Sequence, residues 1–139
     1  MWDKQGGKSV TYADCELCFT NRENPVRMFT HIWDGFRRDS EKNESRVHPN
    51  QKPVKLFVDI WDTFSPGRIV LDLFGGSGST LIAAETTSRV CYTVELSPAF
   101  CDVILKRWQD FTGKKATLER TGEEFDTLRA SISEETVIK

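Results

Sequence analysis

A glycine loop set between an apolar run and a helical segment constrains this chain more than any other feature. Arg68-Ile69-Val70-Leu71-Asp72-Leu73-Phe74 is a short apolar run of the kind that forms buried parallel strands. Gly75-Gly76-Ser77-Gly78 follows at once. Ser79 to Thr87 then reads as a helix with Leu81, Ile82 and Ala84 to bury, and Val90 to Glu95 as a second strand. Ser97 is a good N-cap, with Pro98 at the first helical position, for a helix that Gly113 ends. Upstream, Pro53 opens a helix with Phe57, Ile60, Trp61 and Phe64 on one apolar face, and Ser65-Pro66-Gly67 stops it. Helix, strand, glycine loop, helix, strand, helix is half of a doubly wound α/β sheet.

The 139 residues amount to one domain, and four segments are expected within it. Residues 10–33 alternate like two strands about the turn formers Asn21-Arg22-Glu23-Asn24-Pro25, which predicts a β-hairpin. Residues 34–52 read as a loop, residues 53–120 as the α/β core, with a further strand over Ala116 to Glu119, and residues 121–139 as a polar tail with a short helix over Glu123 to Ala130. His31 is expected in packing or at the surface, Trp61 and Trp108 in the core, and Trp33 and Phe36 folded over the surface beside the loop.

Charge sets a limit on partners. The chain carries 19 basic and 21 acidic residues, for a net charge of −2. A modest basic stretch runs from Gly35 to Lys55, where Arg37, Arg38, Lys42, Arg46, Lys52 and Lys55 stand against Asp39, Glu41 and Glu44. Phosphate neutralisation supplies most nucleic-acid affinity, so strong autonomous DNA binding is not expected. No apolar run reaches the roughly 20 residues of a membrane span, and no apolar stretch follows the N-terminal charges as in a signal peptide. A cytoplasmic protein with reduced thiols is the expectation. Cys15-Glu16-Leu17-Cys18 has metal-site spacing, but residues three apart on a strand face opposite ways and there is no second pair, so no metal site is expected.

The loop predicts a ligand. Glycines let a ligand approach the peptide groups closely, and the helix after them presents free N–H groups. Glu95, about twenty residues on, stands where an acid can accept both hydroxyls of a ribose. The third glycine of a dinucleotide fingerprint would fall at Leu81, and no lysine follows the loop as in a phosphate-binding P-loop. The pattern suits a nucleoside without a pyrophosphate, such as S-adenosyl-L-methionine.

Three motifs then carry a resemblance. Val47-His48-Pro49-Asn50-Gln51-Lys52-Pro53 resembles the His-Pro-x-Gln-Lys-Pro segment of amino-methylating DNA methyltransferases. Asp72-Leu73-Phe74-Gly75-Gly76-Ser77-Gly78-Ser79-Thr80 resembles their Asp-Pro-Phe-x-Gly-Ser-Gly-Thr-Thr, and Glu95-Leu96-Ser97-Pro98 follows in the order of the circularly permuted, beta-class members, with prophage-type likeness over Cys101 to Phe125. The resemblance implies a Rossmann-like S-adenosylmethionine-dependent methyltransferase fold, a transferase activity on DNA and a bacterial or phage restriction-modification setting. Phe74, Gly75, Gly76, Ser77, Gly78 and Ser79 would form the cofactor loop, and Glu95 would hold the ribose. Asp72 would set the loop and face the methionine amine, and Gln51 and Lys52 would close the amino-acid end. His48 is read as ordering its loop rather than as catalytic.

The family's catalytic Asp-Pro-Pro-Tyr-type tetrapeptide, which grips the flipped base, is missing: none of Pro25, Pro49, Pro53, Pro66 and Pro98 precedes another proline. No catalytic residue is assigned, and the chain is expected to be a C-terminal, cofactor-binding portion. The implied partners are double-stranded DNA, bound weakly by this chain alone, and a chain carrying the missing motif, or a second copy. A non-catalytic binding module of the same fold and a small-molecule methyltransferase are the alternatives.

Overall fold

The computed structural model describes residues 1–8, 13, 15–34, 37–43, 45–64 and 67–137. Among these, five short strands and four helices follow one another: β1 (Trp2–Asp3), β2 (Cys15–Glu16), β3 (Phe29–Thr30), α1 (Val54–Phe64), β4 (Ile69–Asp72), α2 (Ser79–Thr86), β5 (Val90–Thr93), α3 (Pro98–Thr112) and α4 (Phe125–Val137). The architecture is mixed α/β.

The central unit follows the sequence pattern closely. β4 and β5 pair in parallel, with Ile69 opposite Val90 and Asp72 opposite Thr93, and α2 is the crossover between them. α1 packs beside α2. Ala83 and Ala84, both fully buried, leave room for Trp61 of α1, and Val70 and Cys91 close the cluster from the sheet. α3 starts at Pro98 and ends at Gly113, whose φ of 70° is the left-handed cap that glycine tolerates best. Ser97 stands at the N-cap position, but its side chain makes no cap hydrogen bond.

The expected buried strand is only half covered. Ile69 (70% exposed), Leu71 (66%), Val90 (53%) and Tyr92 (61%) all point away from α1 and α2. Alternate residues of a strand face opposite ways, and this two-stranded sheet has helices on one side. Parallel sheets are ordinarily covered on both faces, and among the described residues the apolar face of β4 and β5 stands open.

The N-terminal region departs from the expected hairpin. β2 and β3 do not pair with each other; β1 lies between them, antiparallel to β2 and parallel to β3. Trp2 explains the insertion. Its indole is buried and donates to the His31 carbonyl at 3.0 Å, and Phe29 and His31 N–H groups donate to Met1 and Asp3. Residues 19–28 are exposed and leave the sheet instead of turning back along it. Trp33 is buried at 6% exposure rather than lying on the surface, and its indole donates to the Gln51 carbonyl at 2.7 Å. Phe36 lies outside the described residues.

α1 therefore has two apolar faces. Leu56 and Ile60 meet Trp2 and Trp33, while Phe57 and Trp61 meet α2, so the single face read from Phe57, Ile60, Trp61 and Phe64 was incomplete. His31 is buried and its Nε2 is 2.8 Å from Asp59 of α1. Segment 34–52 is tethered along its described length: Asp39 accepts from the Ile32 N–H, and Glu41 from the Val54 N–H. Ala116 to Glu119 forms no strand, only an isolated bridge from Thr117 to Glu124, and the polar tail holds the longer α4. Trp108 is half-buried and donates to Glu85.

Candidate functional site

The end of β4, the glycine loop and the start of α2 converge with segment 48–52 around a cleft of about 320 Å³. That volume falls within the range of small-molecule sites. Asp72, Phe74, Gly75, Gly76 and Ser77 line it from the loop side, Ser79 and Thr80 from the first turn of α2, and Glu95 from the segment after β5. His48, Asn50, Lys52 and Phe57 form the opposite wall.

Each part of the loop has a physical reason. Asp72 Oδ1 accepts the Phe74 N–H at 3.0 Å, an Asx-type turn that breaks the strand. Gly75 donates to the Val94 carbonyl at 2.9 Å, which binds the loop flat against the continuation of β5. A Cβ on Gly75 would lie 2.6 Å from Thr93 Oγ1 and 2.8 Å from Ile104 Cδ1, so only glycine fits without displacement. A Cβ on Gly76 would make ordinary contacts, 3.7 Å from His48 Nε2 and from the Phe74 carbonyl, but its φ of 54° lies in a region that favours glycine. Phe74 stands 87% exposed at the rim of the cleft.

Glu95 is the electrostatic centre of the cleft. Its Oε2 accepts the Gly76 N–H at 2.8 Å and its Oε1 the Ser97 N–H at 2.9 Å. The carboxylate thus ties the glycine loop to the start of α3. These two backbone donors, Ser97 first and Gly76 second, hold the carboxyl below its ordinary range. Each oxygen retains acceptor capacity, so two hydroxyls on neighbouring carbons match what the group has left.

The opposite wall is arranged through side chains. His48 Nδ1 accepts the Asn50 N–H at 3.0 Å, and its ring packs on Phe100 with centroids 4.5 Å apart. Lys52 lines the cleft, but its ammonium points to Glu16 of β2 at 3.2 Å and lies 5.9 Å above the Trp2 ring. Burial pushes the Glu16 carboxyl up, but hydrogen bonds and charge from Lys4 and Lys52 outweigh it and hold the group below its ordinary range.

The structure brings together eight of the ten sequence-derived positions: Lys52, Asp72, Phe74, Gly75, Gly76, Ser77, Ser79 and Glu95. Gly78 lies just behind, as the left-handed N-cap of α2 against Ile104. Gln51 stands outside the cleft at 2% exposure, with its side-chain oxygen on the Val47 N–H and its carbonyl on Trp33. It braces the segment rather than facing the cleft. Four lining residues were not selected from sequence: His48, Asn50, Phe57 and Thr80. His48 and Asn50 sit inside the His-Pro-x-Gln-Lys-Pro match, which was the signal for them. Phe57 reads from the sequence as part of one apolar face with Ile60, Trp61 and Phe64, and helical spacing alone does not say which neighbour a face meets. Among the described residues, no group of three His, Cys, Asp or Glu could hold a metal ion, and no helix is long and apolar enough to cross a membrane.

The parallel strand–glycine loop–helix–strand unit, with an acid beyond the second strand, places the chain among mixed α/β proteins. Within that class the comparison with family models is specific: the DNA methylase model of the N6/N4 methyltransferases matches residues 3–106. The chain belongs to this DNA methylase family, and its function is related to DNA amino-methylation. The family generally uses S-adenosylmethionine. No curated protein and no solved structure matches the chain.

Proposed function

We propose that this chain is the S-adenosylmethionine-binding part of an enzyme that methylates the exocyclic amine of adenine or cytosine in DNA. The carrying observation is the Glu95 carboxylate, held between the Gly76 and Ser97 N–H groups at the mouth of the cleft. The fit can be judged on the residues present. Gly75 and Gly76 leave a cradle that a side chain would fill or strain. Asp72 offers a carboxylate for the amine of the cofactor, and the exposed ring of Phe74 offers an apolar plane for a base. Glu95 would accept the ribose hydroxyls. Bound there, the cofactor would supply an electrophilic methyl group; the protein's part is to bind and orient it and keep the loop rigid around it. The β4–α2–β5 unit then stands as half of a Rossmann-like sheet in the permuted, beta-class order.

The base-gripping tetrapeptide is supplied by another segment or chain, and the open apolar face of β4 and β5 is the surface we assign to that contact. Double-stranded DNA is the substrate, reached in the cytoplasm of a bacterial or phage-infected cell. A binding module that performs no transfer has one observation in its favour, the absence of any Pro-Pro pair in the 139 residues.

Calorimetry with S-adenosylmethionine tests the assignment. Glu95→Gln keeps the shape but replaces one acceptor oxygen by a donor, so one backbone N–H and one ribose hydroxyl lose their acceptor. The expected outcome is a rise in Kd of roughly tenfold, because hydrogen bonds to a charged group are lost. Wild-type protein that shows no heat of binding, or a Gln variant with unchanged affinity, sinks the reading. Methyl transfer to mixed-sequence DNA is expected only after addition of a chain carrying the tetrapeptide, because alignment of the base on the methyl group is worth several kcal/mol of barrier.

A further inference from the structure

A buried ion pair behind the cleft connects its two walls. Arg107, on the last turns of α3, donates through Nη1 to the Ser77 carbonyl and to Ser79 Oγ, both at 3.2 Å. Its Nη2 meets Glu41 Oε1 at 2.5 Å. The side chains of the pair are 14% and 9% exposed. Glu41 Oε2 in turn accepts the N–H of Val54, the first residue of α1, at 3.0 Å. Ser79 Oγ donates to the Lys52 carbonyl at 2.7 Å, and Ser77 Oγ lies 3.0 Å from Ser79 Oγ. A hydroxyl has one proton, so Ser77 is the donor in that last contact.

Neither member of the pair reaches the cleft. Both line a separate groove of about 620 Å³ between segment 41–54 and α3, while Ser77 and Ser79, the targets of Arg107, and Lys52, which Ser79 holds, line the cleft itself. Glu41 also holds a left-handed backbone, φ 54°, that costs a side-chain-bearing residue and persists only where surroundings fix it. Burying two charges is seldom a gain in stability by itself, whereas fixing one arrangement among several is a use such pairs do serve.

We propose that Arg107, oriented by Glu41, is the positioning residue of the cofactor loop: it locks Ser77–Ser79 and the Lys52 backbone at the separation that forms the cleft. This rests on the cofactor reading above. A guanidinium is required because its planar fork serves three acceptors in fixed directions; a lysine ammonium is a single point on a flexible stem.

The test measures S-adenosylmethionine affinity by calorimetry and amide exchange over residues 75–79 for Arg107→Met, Arg107→Lys and Glu41→Gln. Lys106→Met, on the same helix and lining the same groove, is the control. Arg107→Met is expected to raise Kd about tenfold or more, with faster exchange in the loop. Arg107→Lys and Glu41→Gln should fall between it and wild type, and Lys106→Met should match wild type. If Arg107→Met does not fold, the two milder variants carry the same test. Unchanged affinity in all three, or lost affinity without faster loop exchange, overturns the proposal. Wild-type protein that fails to bind S-adenosylmethionine sinks the cofactor reading instead. The exchange data then decide on Arg107: faster exchange in its variants supports the lock, and unchanged exchange overturns it.

Discussion

The region before α1 and the α/β unit after it are held together in different ways. From α1 to α3 the chain forms regular elements that pack on one another along their length: β4 with β5, α2 with β5, α1 with α2. Before α1 the strands are two residues long, and order comes from single side chains reaching across the sequence. Trp2 finds His31, Trp33 finds Gln51, and His31 finds Asp59. The α/β unit is built by periodicity and the region before it by a few anchors. The cleft lies on their boundary, so it needs both.

Removing an anchor should break this picture most visibly. Trp33→Ala deletes a buried indole and the hydrogen bond to Gln51, and large aromatic truncations cost about 3–5 kcal/mol. Urea unfolding should register that loss, and S-adenosylmethionine affinity should fall with it, because segment 48–52 loses its brace. A stable Trp33→Ala protein with full affinity would mean that the N-terminal region plays no part in the site.

A smaller effect is expected inside the unit. Gly75→Ala brings a Cβ against Thr93 and Ile104, and overpacking of this kind costs about 1–3 kcal/mol. Gly76→Ala meets no such neighbour and pays only for its positive φ, about 1 kcal/mol. Thermal unfolding of the two variants should keep that order; the reverse order would show that backbone strain, not the fit against β5, governs the loop.

Acid should loosen the boundary before the cores. The Glu95 carboxyl is held below its ordinary value of 4.5 by the Ser97 and Gly76 N–H groups. A group whose folded pKa is lowered adds stability above its unfolded value, and that contribution disappears as pH falls through the folded value. Amide exchange at Gly76 and Ser97, corrected for intrinsic rates, should therefore stay slow at neutral pH and accelerate only below about 4.5. The same profile in Glu95→Gln would show that another group is responsible.

The smallest stability change belongs to the open face. Leu71→Thr, on an exposed position, should stay within about 0.5 kcal/mol of wild type in urea unfolding, whereas its self-association or pairing with a tetrapeptide-bearing chain should weaken. A large loss of stability would mean that Leu71 is covered within a single copy.

Much of the α/β unit was legible from residue order. Pro98 and Gly113 bound α3, the glycine loop separates β4 from α2, and Glu95 follows at the expected distance. These features are local: each rests on backbone preferences of a few adjacent residues, which the tertiary fold had no reason to override. The loop residues and Glu95 reached the cleft for the same reason. Lys52 shows where this stops. Its position next to Pro53 placed it at the cleft, but its charge went to Glu16, thirty-six positions earlier, through a strand pairing that alternation could not reveal.

The sequence by itself determined that a strand, a glycine turn and a helix would meet at a ligand-sized gap, because turn chemistry and helix ends act over a few residues. Only the tertiary structure decided that Trp2 would enter between β2 and β3, that Trp33 would be a buried brace, and that one face of the sheet would stay open. It also decided that Arg107 would reach Glu41 and the loop. Those outcomes depend on which apolar surfaces and charges come together across the chain, and burial is non-directional: no spacing within the sequence specifies the partner.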